Sequence, residues 1–284
     1  MSEVASNAWT IEPRLNGLGP RAREIWAYRR MFLFFGRRAI EKLYRRTILG
    51  KAWIFLRPLI PLAVRVFVFG ALLQVGGTTK VPYFLFVCVG TAAWELFSSS
   101  LMWATRSLQL NGAILSRLYV PRLILPVASM VPGLVYFAIY VGVIAASLVY
   151  YRVHNGVWYL DATWIVVAPI AVVLILLFAL SIGLWTAVLA ASARDVRFGL
   201  GYVLEFWIYL TPVVYPVSIV PDHVQWAMYI NPIAVYIVAF RGALLGSEGP
   251  PLLGWVSSLA ITAVMLAIGL AFFSRAEAEA VDNL

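Results

Sequence analysis

Long apolar runs, separated by short polar or proline-rich breaks, set the plan of this chain. About 20 apolar residues suffice for a helix to cross the roughly 30 Å hydrocarbon core of a bilayer. The pattern predicts six such runs, at about 53–73, 81–102, 123–150, 164–191, 198–215 and 252–273. Gly76, Gly77, Thr78, Thr79 and Lys80 turn the chain between the first two, and 151–163 form a second outer loop with Trp158 and Tyr159 at belt height. Ahead of the runs, residues 1–24 read as a loose polar tail. Residues 25–50 place Ile25, Tyr28, Phe32 and Phe35 at helical spacing among arginines, which predicts an amphipathic helix lying on the membrane surface. The stretch 217–245 fits neither pattern. Pro221, Asn231, Pro232 and Arg241 make it a poor lipid-facing span, and broken backbone at membrane depth needs protein or water around it. A re-entrant hairpin on the outer side is the expectation. The fold class is therefore all-α: a six-span domain over 51–284, an N-terminal surface helix, and a hairpin between spans five and six.

Composition strengthens this reading. The chain is 62% hydrophobic and 12% charged, against about half and a quarter for a soluble domain, leaving no room for a sizeable soluble unit. The net charge of +9 would suit nucleic acid, but its placement argues otherwise. Residues 1–51 carry 11 Lys/Arg and four acids, so most of the excess lies before the first span. Segments assigned inside hold 17 basic residues; those assigned outside hold Lys80, Arg152 and Arg241. This bias puts both termini in the cytoplasm, and the absence of an apolar signal core in the first 50 residues agrees. Cys88 stands alone, which excludes an intrachain disulfide or thiolate cluster, and His154 and His223 are too isolated for a metal site. Gly50-Lys51 is followed by Ala52, so no phosphate-binding loop is present and the chain does not hydrolyse ATP by that route.

Four groups could do work. In span two, Phe84, Cys88, Thr91, Glu95, Ser98 and Met102 share one helical face, and a carboxylate at that depth faces a cavity or a partner. In span five, Phe198, Tyr202, Glu205 and Tyr209 share another, flanked by Phe206 and Trp207. Aromatic faces stack on sugar C–H surfaces, although the same stripes also serve ordinary helix packing. Arg65 in span one needs Glu95, Glu205 or water, whereas Arg57 can reach the inner headgroups. The inner loop 108–121, with Asn111, Ile114, Leu115, Arg117, Leu118, Tyr119 and the stop at Pro121, is a short helix that lies on lipid or docks on a partner. Arg194, Asp195 and Arg197 mark an inner corner.

Two stretches resemble the permeases of bacterial ABC exporters for lipid-linked polysaccharide such as O-antigen, teichoic acid or capsule. The first runs from Arg38-Ala39-Ile40-Glu41 through Leu43-Tyr44-Arg45-Arg46-Thr47 and Leu49-Gly50 to Trp53, then Arg57-Pro58-Leu59; Ala39 and Leu43 depart from the family pattern, which has an acid and an arginine there. The second runs from Ala193-Arg194-Asp195-Val196-Arg197 through Leu210-Thr211-Pro212-Val213-Val214-Tyr215-Pro216, Pro221, Asn231-Pro232 and Phe240-Arg241. The likeness covers roughly 35–284. It implies an inner-membrane subunit that pairs with a second copy and docks two ATP-binding subunits; those partners, not this chain, would bind ATP and Mg. It implies that Arg37, Arg38, Tyr44, Arg45 and Arg46 lie on an interface helix, and that 108–121 is the coupling helix. It further implies that Pro212, Tyr215, Pro216, Pro221, Asn231, Pro232 and Arg241 build an outer gate. An exporter of a drug or lipid shares this architecture and is the alternative. A membrane-embedded glycan-modifying enzyme would need an outer acid or base cluster, and Asp161, His154, Asp222, His223 and Glu248 are scattered.

Overall fold

The computed structural model describes residues 28–74, 77, 79, 81–115, 121–247 and 249–282. The predicted tail 1–24 and the first residues of the predicted surface helix lie outside them. Among the described residues the chain is helical, without a strand.

Helix α1 is Arg29–Tyr44. Its buried face is Phe35, Gly36, Ala39 and Leu43, and a Cβ at Gly36 would sit 3.0 Å from Val131 Cγ2. Helix α2, Ala52–Arg65, carries Pro58 and Pro61 inside it and continues as a π-helix over Val66–Leu72. Helix α3, Tyr83–Thr105, is buried on nearly all sides. A turn at Arg106 leads into α4, Ser107–Leu115. Short α5, Ile124–Ser129, precedes α6, Val131–Asn155, which ends on Gly156 in the left-handed region. Then come α7, Trp164–Ser192, and α8, Asp195–Trp207. A 3-10 turn at Val217–Ile219 is followed by α9, Asp222–Ile230, α10, Pro232–Leu245, and α11, Leu252–Asp282.

The core is built around α3. Phe97 is its hub, stacked on Phe178 of α7 at 5.5 Å and set edge-on to Trp207 of α8 at 5.4 Å. Small residues let the helices close up, as they do wherever helices pack within lipid. A Cβ on Gly133 would lie 2.3 Å from Ser100 Oγ, and one on Gly183 would lie 2.7 Å from Ala104 Cβ. A second apolar cluster, with Phe35, Leu108, Leu125, Leu184 and Phe273, joins α1, α4, α5, α7 and α11 at the other end.

Among the described residues, five helical stretches are long and apolar enough to cross a membrane: Ala52–Leu72, Tyr83–Ile114, Ile124–Asn155, Trp164–Ser192 and Leu252–Arg275. A sixth exists only if α9 and α10, bent by 95° at Asn231, are counted together. The predicted run 198–215 is thus corrected in form: it is not one helix, because α8 has 13 residues, or roughly 20 Å at 1.5 Å each, and the rest of the run continues as turns and irregular backbone. Beyond Trp207 the backbone tightens. Tyr209, Leu210 and Thr211 donate to the carbonyls three residues back, and Pro212 ends the helical path. The apolar run persists because Val213 and Val214 are buried against the protein rather than lipid.

Candidate functional site

Side chains from two helices hold the broken segment after α8. Arg241 of α10 donates from Nη1 to the Pro212 carbonyl at 2.8 Å and lies over the Phe86 ring of α3 at 3.9 Å. Tyr83 donates its hydroxyl to the Val214 carbonyl at 2.7 Å. Between them, the Val213 carbonyl fits against Gly90 so closely that a Cβ there would stand 2.6 Å from its oxygen. Asn231, at the bend, donates to Thr211 Oγ1 at 3.2 Å. Three successive carbonyls freed by the break are thus paired or packed, as a buried irregular segment requires. Of the predicted gate residues, Pro212, Asn231 and Arg241 meet here. Tyr215, Pro221, Asn231 and Pro232 line an adjoining open groove of about 690 Å³ together with Trp207 and Tyr209. Pro216 stands in extended backbone ahead of the 3-10 turn.

The two predicted stripes are not brought together. On α3, Thr91 is fully buried. Glu95 approaches Arg65 of α2 at 3.7 Å, each side chain about one-fifth exposed (20% and 19%). Ser98 is partly buried. On α8 and the turn that follows it, Leu204, Trp207 and Ile208 pack inward, and the other side is left open: Tyr202 is 66% exposed, Phe206 72% and Tyr209 61%, with Glu205 exposed among them.

At the other end, Asn111 is buried and its amide donates to its own Ser107 carbonyl at 2.8 Å. Gln109 donates to the Ala190 carbonyl of α7, and Ile114 packs on the second cluster. Ile114, expected to lie on lipid or dock on a partner, therefore packs within this chain. Arg117, Leu118 and Tyr119 lie outside the described residues, and Leu115 ends α4. Pro121 accepts from the Ile124 N–H at 2.9 Å as α5 begins. Lys42 of α1 donates to the Leu110 carbonyl at 2.8 Å, joining the two inner helices. Burial, with Arg38 adding to it, pulls the Lys42 ammonium down to about 8. Arg37 pairs with Glu41 at 3.4 Å; Tyr44 is partly buried, and Arg45 and Arg46 are exposed. Arg194 precedes α8, and Asp195 occupies its first turn, where a carboxylate suits the helix dipole.

Sequence reasoning missed Tyr83, Phe86 and Gly90, although they share one face of α3 and a glycine among aromatics signals close backbone approach. It also missed Tyr140, which donates to the Pro58 carbonyl at 2.5 Å and ties α6 to α2. Among the described residues no group of His, Cys, Asp and Glu could hold a metal ion.

The chain is 24% identical over 265 residues to an O-antigen export system permease protein, RfbA, of Myxococcus xanthus, covering 92% of this chain and 98% of that one. It is 28% identical over 236 residues to the protein of the same name from Klebsiella pneumoniae, covering 82% and 86%. It is 25% identical over 230 residues to the inner membrane transport permease YadH of Escherichia coli K12, covering 75% and 86%. The family model described as ABC-2 type transporter matches residues 31–245, which take in most of α1, the α3 core and the whole bent segment around Arg241. The chain is a member of the ABC-2 type transporter family.

Proposed function

We propose that this chain is the membrane-spanning subunit of an ATP-driven exporter that moves an O-antigen-like, lipid-linked polysaccharide outward across the bacterial inner membrane. Two copies enclose the path, and two separate ATP-binding subunits supply ATP and Mg chemistry from the cytoplasm, where both termini lie. The observation that carries this reading is the open face of α8 and the turn after it, where Tyr202, Phe206 and Tyr209 stand exposed while Leu204 and Trp207 anchor the helix to the core. Rings spaced a turn apart offer every sugar a similar weak platform, so a chain of repeats can slide and still let go. The groove of about 690 Å³ beside Tyr209 and Tyr215 continues that platform toward the bent α9–α10 hairpin, which acts as the outer gate. Inside, α1 and the segment following α4 meet the ATP-binding subunits; their closure on ATP moves the two inner helices, linked through Lys42, as one body. ATP drives this only by binding one of the two arrangements more tightly.

Surface-glycan labelling in cells depleted of this chain, alongside a probe for lipid-linked glycan inside, tests the reading. Loss outside with accumulation inside is expected. An unchanged surface would overturn the glycan cargo and leave an exporter of a small molecule or lipid.

A further inference from the structure

Helix α9 lies between two hollows. Val224 and Ala227 face the groove already described. Gln225 and Tyr229, one turn apart, face a second cleft of about 190 Å³ that opens toward α10 and the loop before α11. Pro212, Val235 and Val238 give that cleft an apolar wall, while Tyr229, Gln225 and Ser218 bring an aromatic ring, an amide and a hydroxyl to it. Its walls are fixed without a ligand. Arg241 holds the Pro212 carbonyl at 2.8 Å, Gln225 donates from Nε2 to the Val220 carbonyl at 3.0 Å, and Ser257 of α11 donates to the Tyr229 carbonyl at 2.8 Å. Gly254 has no side chain to part these walls: a Cβ there would stand 3.3 Å from Tyr229 Cδ1, 3.5 Å from Val235 Cγ2 and 3.7 Å from Pro251 Cδ. Pro250 and Pro251 stiffen the far side. Beside them Gly249 is exposed, and an added Cβ would meet nothing within 4 Å, so the cleft has an open mouth.

Size, charge and chemistry narrow the occupant. The cleft is smaller than the roughly 300–1,000 Å³ that a drug-sized ligand fills, so it takes a single ring. None of the described residues lining it is charged, so nothing there balances an ionised ligand. Polar and apolar atoms share the lining nearly equally, which does not suit an acyl chain. A sugar ring meets all three conditions: its C–H face packs on an aromatic or aliphatic wall, and its hydroxyls exchange hydrogen bonds with an amide and a hydroxyl. Walls already in place keep the ordering cost of binding low. We propose that this cleft is a binding site for one neutral pyranose residue, separate from the α8 stripe. A sugar seated there bridges α9 and the loop 249–251, and so holds the hairpin against the bundle. Naming it as part of the emerging cargo rests on the export reading; the site itself does not.

The test uses the full permease with its ATP-binding partner in phosphatidylcholine nanodiscs, carrying Tyr202→Ala and Tyr209→Ala to silence the α8 stripe. Methyl glycosides of glucose, galactose, mannose and N-acetylglucosamine are the probes, and saturation-transfer NMR is the readout. Transfer to the ring protons of at least one glycoside is expected, with none to methyl glucuronide, which is ionised. Ser218→Trp, at an exposed position of the rim, and Gln225→Ala should each lower the signal at least threefold. Should Gln225→Ala fail to assemble, Ser218→Trp decides alone. No transfer to any glycoside would overturn the site. So would a signal that the assembled variants leave unchanged, or equal transfer to the glucuronide. The rate of surface-glycan appearance in cells carrying Ser218→Trp alone then separates the sources. A slowed rate with lost sugar binding identifies the cargo's own sugar; an unchanged rate with lost binding keeps the site and gives it to a sugar of another molecule. Rim-dependent binding in a protein whose depletion leaves the surface glycan intact would keep the site and remove the export reading. Lost surface glycan with rim-independent binding would do the reverse.

Discussion

Arg241 shows how one residue can fix a segment far from it in sequence. It is buried and divides its guanidinium between the Pro212 carbonyl and the Phe86 ring. Replacing it by Met keeps the volume but leaves that carbonyl unpaired, so Arg241→Met should destabilise the protein by about 1.5–3 kcal/mol, read as a lowered melting temperature in detergent. Gly90→Val should do at least as much, because backbone rather than a flexible tip stands 2.6 Å from the new Cβ. Lys42 gives a pH signature. Burial lowers it from 10.5 to about 8, so between those values the folded protein holds fewer protons than the unfolded chain, and stability should rise with pH across that window. Lys42→Met should flatten that rise in pH-dependent melting curves. At this scale the sequence was partly legible. Arg65 needed a partner and Glu95 was among the three foreseen, since a charge at depth leaves few alternatives. Tyr83 and Tyr140 were hidden because a hydroxyl aimed at a distant carbonyl leaves no local pattern.

Among the elements, α8 separates what periodicity reveals from what it conceals. The spacing placed Tyr202, Glu205 and Tyr209 on one face, and that face is open. The length was misjudged, because hydropathy registers burial without saying whether lipid or protein does the burying; Val213 and Val214 are apolar for the second reason. Since Tyr202 and Tyr209 touch little of their own subunit, changing both to Ala should leave assembly intact while slowing export several-fold, measured as the rate of surface-glycan appearance. An unchanged rate would reduce the stripe to a lipid or subunit contact. The inner loop offers a parallel case. It was read as lying on lipid or docking on a partner, yet Leu108 and Asn111 are buried within this chain, so any docking falls to its far end. Leu115→Asp, at the last residue of α4, should abolish the transport dependence of ATP hydrolysis while leaving the permease folded. Normal coupling would place the docking elsewhere.

At the scale of the whole molecule, the open faces of α2 and α8 suggest that one copy is half of a device. In a Cys88→Ser background, Tyr202→Cys should be joined into a covalent dimer by a short bis-maleimide; monomer alone would mean that α8 faces lipid. The helical class and most of the crossings could be read from apolar run length, because the bilayer imposes one thickness on every span. The arrangement of the bent segment could not, since it depends on contacts between residues more than a hundred positions apart, such as Tyr83 with Val214. That stapled segment also limits the kinematics of opening. With Pro212 tethered to α10, Val213 wedged at Gly90 and Val214 tethered to Tyr83, residues 212–214 have no swing of their own. The remaining freedom lies in the tight turns at 208–211 and in the 95° elbow at Asn231. In the proposed exporter the hairpin would then be a passenger: it would part from a counterpart in a second copy only when α3 and α10 tilt with it, so leakage between strokes would be governed by the stiffness of the bundle rather than by the chance flapping of a loop.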